Sequence, residues 1–189
     1  MVKKLFHTVL IVLVLSDLAA CSGQTGAGEK ETVKIGVTGT DGQYWAIIKE
    51  KAVAEGIEIE LIEFSDYTLP NQALAQGEID LNAFQHIAFL NQFTEEHNLD
   101  IVPIGTTVIA PMGLYSSQYD DVNEIPKGAK IAIPDDPSNQ ARALKLLESA
   151  GLIKLKEDFG LFGELDDIEE NTHDLEIIPM TAQQTPRVL

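Results

Sequence analysis

Short segments rich in β-branched residues alternate with amphipathic segments along the first half of this chain. This alternation constrains the fold more than any other feature. The predicted strands are 33–37, 57–62 and 79–84, and the predicted helices are 44–54, 68–76 and 86–96. Gly56 and Gly77 follow the first two helices, where a left-handed residue commonly ends a helix. Strands separated by helices through short links predict a parallel sheet in an α/β fold, with right-handed crossovers between neighbouring strands.

A second set of strand and helix signals begins later in the chain. It predicts strands at 129–133 and 175–180 and a helix at 136–149. Asp136 can cap this helix, and Pro137 suits its first turn. The second set therefore predicts a further α/β unit.

Two other segments lack this regular pattern. Residues 101–115 are rich in β-branched side chains but are broken by prolines, which fits a segment crossing between two lobes. Residues 152–171 are charged and interrupted by glycines, and we expect a surface excursion there. We therefore assign the first lobe to 32–110 and the second lobe to 111–189.

The first 30 residues have the composition of an export signal. Lys3 and Lys4 precede an apolar run at 9–15, which is too short to cross a bilayer because a spanning helix needs about 20 apolar residues. A basic head, an apolar centre and small residues before a cleavage point indicate a secretory signal peptide at 1–20. Residues 21–31 are mostly small and polar, and indicate a flexible tether.

Cys21, the single cysteine of the chain, directly follows Leu18-Ala19-Ala20. The arrangement resembles the bacterial lipobox, in which the thiol is acylated, although Asp17 is a departure from that pattern. The alternative is a signal-anchor cysteine that is never modified. A single cysteine also excludes an internal disulfide. We expect lipid attachment at Cys21 and a cell-membrane location facing the extracytoplasmic side.

The formal net charge of −17 limits the partners. No basic patch survives outside the signal, so we do not expect nucleic acid as a partner. Anionic lipid surfaces would repel this chain, so membrane residence would depend on acyl chains, of which two or more anchor stably.

Residues that carry catalysis or bind metals are not grouped in this sequence. It has no G-x-S-x-G elbow, no H-E-x-x-H pair and no phosphate-binding Walker loop. Three histidines outside the signal (His86, His97 and His173) are scattered and show no metal-ligand spacing. We therefore expect no enzyme activity, no catalytic residues, no cofactor and no metal site.

Polar and aromatic side chains follow the predicted strands of the first lobe. Tyr67 and His86 lie just beyond the second and third strands, and Phe84 closes the third. In open α/β sheets ligands collect at the carboxyl ends of strands. These residues could therefore wall an apolar slot with one polar contact. The alternative is that Phe84 and Phe89 are core residues and His86 only begins a helix.

Arg142 lies near the start of the predicted helix at 136–149. A cation there opposes the helix dipole. One interpretation is a surface arginine that the helix tolerates. The other is an anion site, in which the guanidinium and helix N–H groups together hold a carboxylate.

Three segments resemble motifs of the NlpA/MetQ family of methionine-binding lipoproteins, in the order found in that family. They are FSDYTLPNQAL at 64–74, GEIDLNAFQH at 77–86 and PDDPSNQARAL at 134–144. The likeness extends from about residue 33 to the last residue and includes the lipobox.

The resemblance implies a two-lobed periplasmic-binding-protein fold of the second type. It also implies a protein that delivers L-methionine to an ABC permease and its ATPase. Arg142 matches the arginine that pairs with the ligand carboxylate, and Asn139 matches a polar contact. Tyr67, Phe84 and His86 match residues that line the side-chain pocket. D-methionine, a methionyl dipeptide or another small amino acid are alternative ligands. A surface lipoprotein without a transport role is the alternative function.

The resemblance also implies that this sequence stops before the last elements of the family fold. Family members continue beyond the point that matches Leu189, with a strand that carries a ligand-contacting Asn and a return crossing to the first lobe. We therefore expect the second lobe and the closing segments to be incomplete, in a fragment or a truncated gene product. Residues 181–189 have the pattern of a starting helix.

Overall fold

The computed structural model describes residues 31–39 and 42–189. The predicted signal peptide and the lipidation site at Cys21 lie outside the described residues. So does the predicted tether, apart from Glu31, which already belongs to the first strand.

The first lobe is a three-stranded parallel sheet with helices in the links. Its strands are β1 (Glu31–Val37), β2 (Ile57–Glu63) and β3 (Leu81–Asn82), in the order β2-β1-β3. Its helices are α1 (Gln43–Ala54), α2 (Leu69–Ala75) and α3 (Ile87–His97). The predicted elements are confirmed in the predicted order, although the third strand is much shorter than 79–84.

The strand order corrects one expectation. β3 pairs with β1 and not with β2, so the crossover after β2 passes over β1 instead of joining neighbours. The reason lies in the side chains. Glu58 and Glu60 alternate along β2 and are exposed, which suits an edge strand. Consecutive buried residues at 35–37 give β1 the character of a central strand.

Gly36 allows close packing at the centre of this sheet. A Cβ at this position would lie 2.6 Å from Cδ1 of Ile79 and 3.0 Å from Cε2 of Phe64. The segments after β2 and before β3 therefore approach the strand more closely than any larger residue would permit. Both segments lead to the candidate site.

The second lobe pairs β4 (Lys130–Pro134) in parallel with β7 (Glu176–Met180). Helix α4 (Pro137–Ser149) follows β4 and packs against it. Asp136 caps α4 as predicted, because its carboxylate accepts the backbone N–H of Asn139 at 3.0 Å. The lobe has its own apolar core, whose most buried members are Ile133, Leu144, Leu147, Leu152 and Leu155.

The expectation of a surface excursion at 152–171 is wrong for its first part. Gly151 has a φ of 74°, and this left-handed turn brings the chain back against α4. Leu152 and Leu155 are then buried at 2% and 3% exposure. The segment also contains an antiparallel pair, β5 (Lys154–Leu155) with β6 (Ile168–Glu170). The apolar side chains just after Gly151 are buried in the core, although charged residues follow them in the sequence.

Residues 101–115 connect α3 to the second lobe and contain no helix or strand. Most of this segment is exposed, including Ile104 at 80% and Ile109 at 96%. Its role as a hinge remains a prediction, and so do the lobe boundaries at 110 and 111. The chain ends in a 3-10 helix, Ala182–Val188, where a helix start was predicted. None of the described helices is both long and apolar enough to cross a membrane.

Candidate functional site

His86 stands at the point where the first lobe meets the second. It is the N-cap of α3, where its Nδ1 accepts the backbone N–H of Phe89 at 3.1 Å. Because Nδ1 is an acceptor, the proton of the neutral ring is on Nε2. That Nε2–H faces Oδ1 of Asn139, 3.1 Å away in the first turn of α4. The bond therefore joins the two lobes.

Asn139 is the centre of a polar chain across this junction. It is only 8% exposed. Its Oδ1 also accepts a hydrogen bond of 2.8 Å from Nη1 of Arg142. Nη2 of Arg142 donates to the carbonyl of Ala110 at 3.1 Å, so the guanidinium is held from two sides. The sequence-predicted His86, Asn139 and Arg142 thus form one hydrogen-bonded group.

Aromatic rings form a cluster beside this group. The ring centroids of Tyr67 and Phe84 lie 5.8 Å apart, and each ring lies edge-on to Phe89, at 5.9 Å and 6.1 Å. Phe89 was considered only as a core residue from the sequence. Its position three residues after His86 puts both on one face of α3, and this spacing was the signal for its place in the cluster.

Tyr67 connects the aromatic cluster to the charged groups of α4. The pKa of its phenol is raised, mainly because burial disfavours the charged form and secondly because of the carboxylate of Asp136. The positive charge of Arg142 partly offsets this effect. The chain therefore brings all five predicted site residues into one neighbourhood.

Local hydrogen bonds fix the segment that carries Tyr67. Oδ1 of Asp66 accepts the backbone N–H groups of both Thr68 and Leu69, each at 2.8 Å. These bonds satisfy the first turn of α2, which Thr68 itself does not cap with its side chain. Tyr67 is held between Asp66 and this turn.

A group of three side-chain amides, Asn71, Asn82 and Gln85, supports the loop that carries Phe84 and His86. Oδ1 of Asn71 accepts from Nδ2 of Asn82 at 2.8 Å and from Nε2 of Gln85 at 2.7 Å, and Nδ2 of Asn71 returns a bond of 2.9 Å to Gln85. Asn71 is fully buried. Sequence reasoning missed this triad, although all three residues lie within the family-like motifs.

A cleft of about 580 Å³ begins at His86 and Arg142 and runs along α4. The rest of its wall is largely apolar, and includes Ala88, Met112, Ala141, Leu146, Phe159 and Leu161. A second cation, Lys145, also lines it, and no carboxylate does among the described residues. Tyr67, Phe84 and Asn139 do not contribute to this wall, so the cleft shares only His86 and Arg142 with the five predicted site residues.

Within residues 31–39 and 42–189, no group of three or more metal-ligand side chains lies close enough together to hold an ion. The site instead combines the guanidinium of Arg142, the ring of His86 and the amide of Asn139, with the carboxylate of Asp136 bound to that amide. Such a set, beside aromatic rings, is suited to holding a small molecule with a carboxylate and an apolar side chain.

Comparison with known proteins gives the family. The family described as NlpA lipoprotein matches residues 33–189. An uncharacterized lipoprotein of Bacillus subtilis is 42% identical over 181 residues, which cover 96% of this chain and 64% of that protein. The D-methionine-binding lipoprotein MetQ of Escherichia coli is 39% identical over 188 residues, covering 97% of this chain and 69% of that protein.

A solved structure shows the same fold. It is described as an ABC transporter, periplasmic substrate-binding protein from Coxiella burnetii, and has 42% identity and a TM-score of 0.78. The alignment covers 83% of this chain and 67% of that one. The chain thus spans about two thirds of the length of the proteins it matches. The predicted α/β, two-lobed periplasmic-binding-protein fold is confirmed, and the match over residues 33–189 shows that this chain belongs to the NlpA lipoprotein family.

Proposed function

We propose that this chain is a lipid-anchored substrate-binding protein that captures methionine and delivers it to an ABC importer. One observation carries the proposal: the bonded group of His86, Asn139 and Arg142 lies where the two lobes meet, directly beside the aromatic cluster. The name of the Escherichia coli relative supports methionine binding, and that of the Coxiella burnetii relative supports a role with an ABC transporter.

Arg142 is the group that would bind the ligand carboxylate. A guanidinium has five N–H donors in a fixed plane, and can hold a carboxylate through two parallel bonds. Asn139 and Ala110 each accept one of these donors, which orients the plane and leaves other donors for a ligand. Holding the side chain in place in advance reduces the entropy lost on binding.

Tyr67, Phe84 and Phe89 would receive the methionine side chain. A thioether sulfur gains about 0.3–1.5 kcal/mol from contact with an aromatic ring. The centroids of the three rings lie within 6.1 Å of one another. Tyr67 and Phe84 are half-buried, so part of their surface is accessible. This arrangement supports a preference for a slender, polarizable side chain.

Charge supports an anionic group on the ligand. The whole chain has a net charge of −17, yet Arg142 and Lys145 both line the cleft. Lys145 is paired with Glu148 at 3.2 Å, so Arg142 is the cation that would attract a ligand carboxylate to that point. Closure of the lobes, with 101–115 as the hinge, would then exclude water from the ion pair between Arg142 and the ligand carboxylate.

A longer ligand is a second candidate, because the cleft runs along three turns of α4. Ser138, Arg142, Lys145 and Ser149 all line it, and the first and last of them are separated by about 16 Å of helix. Lys145 would lie near a second polar group of such a ligand. A methionine-containing dipeptide fits this description, and D-methionine is the stereochemical alternative to L-methionine.

Titration calorimetry tests the proposal with L-methionine, D-methionine and methionyl dipeptides. We expect heat with at least one of them, and loss of that heat in Arg142→Ala. Arg187→Ala is the matched control, because it removes the same charge from an exposed position in the C-terminal 3-10 helix. If neither enantiomer and no dipeptide produces heat with the wild-type chain, the proposal is wrong. If binding survives in Arg142→Ala, the assigned carboxylate site is wrong.

A further inference from the structure

Asp136 makes more hydrogen bonds than a helix cap requires. Its Oδ1 accepts the backbone N–H of Asn139, Nδ2 of Asn139 and Oγ of Ser138, each at 3.0 Å. Its Oδ2 accepts Nδ2 of Asn139 at 3.1 Å. Capping alone would need only a bond to a backbone N–H. The two bonds to the side-chain amide are a separate feature.

These bonds determine which way the amide of Asn139 faces. With Nδ2 bonded to both oxygens of Asp136, Oδ1 must point to the opposite side, toward His86 and Arg142. The reversed amide would place Oδ1 against a carboxylate and NH2 against a guanidinium. Both pairs would be repulsive, so the carboxylate of Asp136 selects one orientation.

The orientation of Asn139 in turn limits the proton on His86. Nδ1 of His86 is already used as the acceptor for Phe89 N–H. A reversed Asn139 amide would present a second donor to Nε2, and no uncharged imidazole has acceptors on both nitrogens. The observed amide presents an acceptor and so favours the tautomer protonated on Nε2.

We infer that Asp136 is a positioning residue for ligand recognition. It sets the amide of Asn139, and through that amide it acts together with Phe89 N–H to favour the Nε2–H tautomer of His86 and directs the guanidinium of Arg142. Its part in recognition rests on the proposed function. Its effect on the histidine tautomer does not, because that effect needs no ligand.

The variant Asp136→Asn tests this inference. Asparagine caps helices about as well as aspartate, so α4 should remain folded. In the variant, the side-chain NH2 at position 136 could face Nδ2 of Asn139, which would place two donors together. If it turns away instead, only one oxygen is left to accept the amide of Asn139. We expect nitrogen-15 NMR of the ligand-free protein to show a smaller fraction of the Nε2–H tautomer of His86 in the variant than in the wild type, because Phe89 N–H would then act on Nδ1 without a fixed acceptor at Nε2. Affinity for methionine should fall at least tenfold.

Asp121→Asn is the matched control. The exposed Asp121 caps the 3-10 helix Val122–Glu124 of the second lobe, and accepts both the backbone N–H and Nδ2 of Asn123, at 2.8 Å and 2.7 Å. It should leave the tautomer and the affinity unchanged. If Asp136→Asn does not fold, Asp136→Ser replaces it, since a serine hydroxyl can cap the helix but has no second oxygen for the amide.

An unchanged tautomer fraction together with an affinity within twofold of wild type would overturn the inference. A changed tautomer in a protein whose wild-type form binds none of the methionine ligands would support the positioning effect and reject the proposed function. The two ideas can therefore fail separately.

Discussion

Nε2 of His86 and Oδ1 of Asn139 lie 3.1 Å apart, and this contact connects the helix after β3 to the helix after β4. Each residue is also fixed within its own lobe, His86 by Phe89 N–H and Asn139 by Asp136. The contact is therefore a bond between two groups whose orientations are set in advance. Such preorganisation favours both ligand affinity and a defined closed arrangement of the lobes.

Substitution of His86 by alanine should weaken methionine binding roughly two- to thirteenfold, which corresponds to the 0.5–1.5 kcal/mol of one net hydrogen bond. It should also lower the unfolding temperature, because the cap on Phe89 N–H is lost. Calorimetry and thermal unfolding measure the two effects. His97→Ala is the control, since His97 is exposed at the other end of α3. Equal effects of the two substitutions on affinity would argue against a role for His86 in the site.

Substitution of the fully buried Asn71 by alanine should destabilise the protein by about 1–3 kcal/mol, because Asn82 and Gln85 would each lose a partner. Since these amides support the loop that carries Phe84 and His86, methionine affinity should decrease as well. Urea unfolding gives the free energy, and calorimetry gives the affinity. Asn91→Ala, at an exposed position of α3, should change neither. A loss of stability without any loss of affinity would show that the triad is purely structural.

The sequence predicted those features of the fold that depend on residues close together in the chain. The order of strands and helices and the cap at Asp136 follow from spacing within a few residues, and they were confirmed. The pairing of β3 with β1 depends on contacts between distant segments, so local patterns assigned β3 to the wrong neighbour.

The five candidate site residues were predicted from their places after strands and from the family resemblance. Their detailed connections were not. The tautomer of His86 depends on Phe89 and Asn139 together, and those residues are 50 positions apart in the chain. The burial of Leu152 and Leu155 was missed because nearby charges dominated the composition, while the left-handed turn at Gly151 decided their direction.

Tyr67 should make stability depend on pH in the alkaline range. Its pKa is raised in the folded protein, mainly by burial, so between its unfolded value near 10 and its folded value the native state binds more protons than the unfolded state. The free energy of unfolding should therefore fall as the pH rises above about 10. Tyr67→Phe should reduce this slope, and Tyr115→Phe, at a 73% exposed position, should not. Denaturant unfolding at several alkaline pH values measures the slopes, and identical slopes for all three proteins would contradict the prediction.

Cys21→Ser should separate membrane attachment from ligand binding. Without a thiol there is no site for acylation, and the acidic chain has no basic patch to hold it on anionic lipid. Fractionation of cells that express the variant should therefore find it away from membranes, while calorimetry gives an unchanged methionine affinity. Ser22→Ala, next to the cysteine, is the control and should remain with the membranes. Retention of Cys21→Ser in the membrane fraction would show that something other than a lipid on Cys21 anchors the protein.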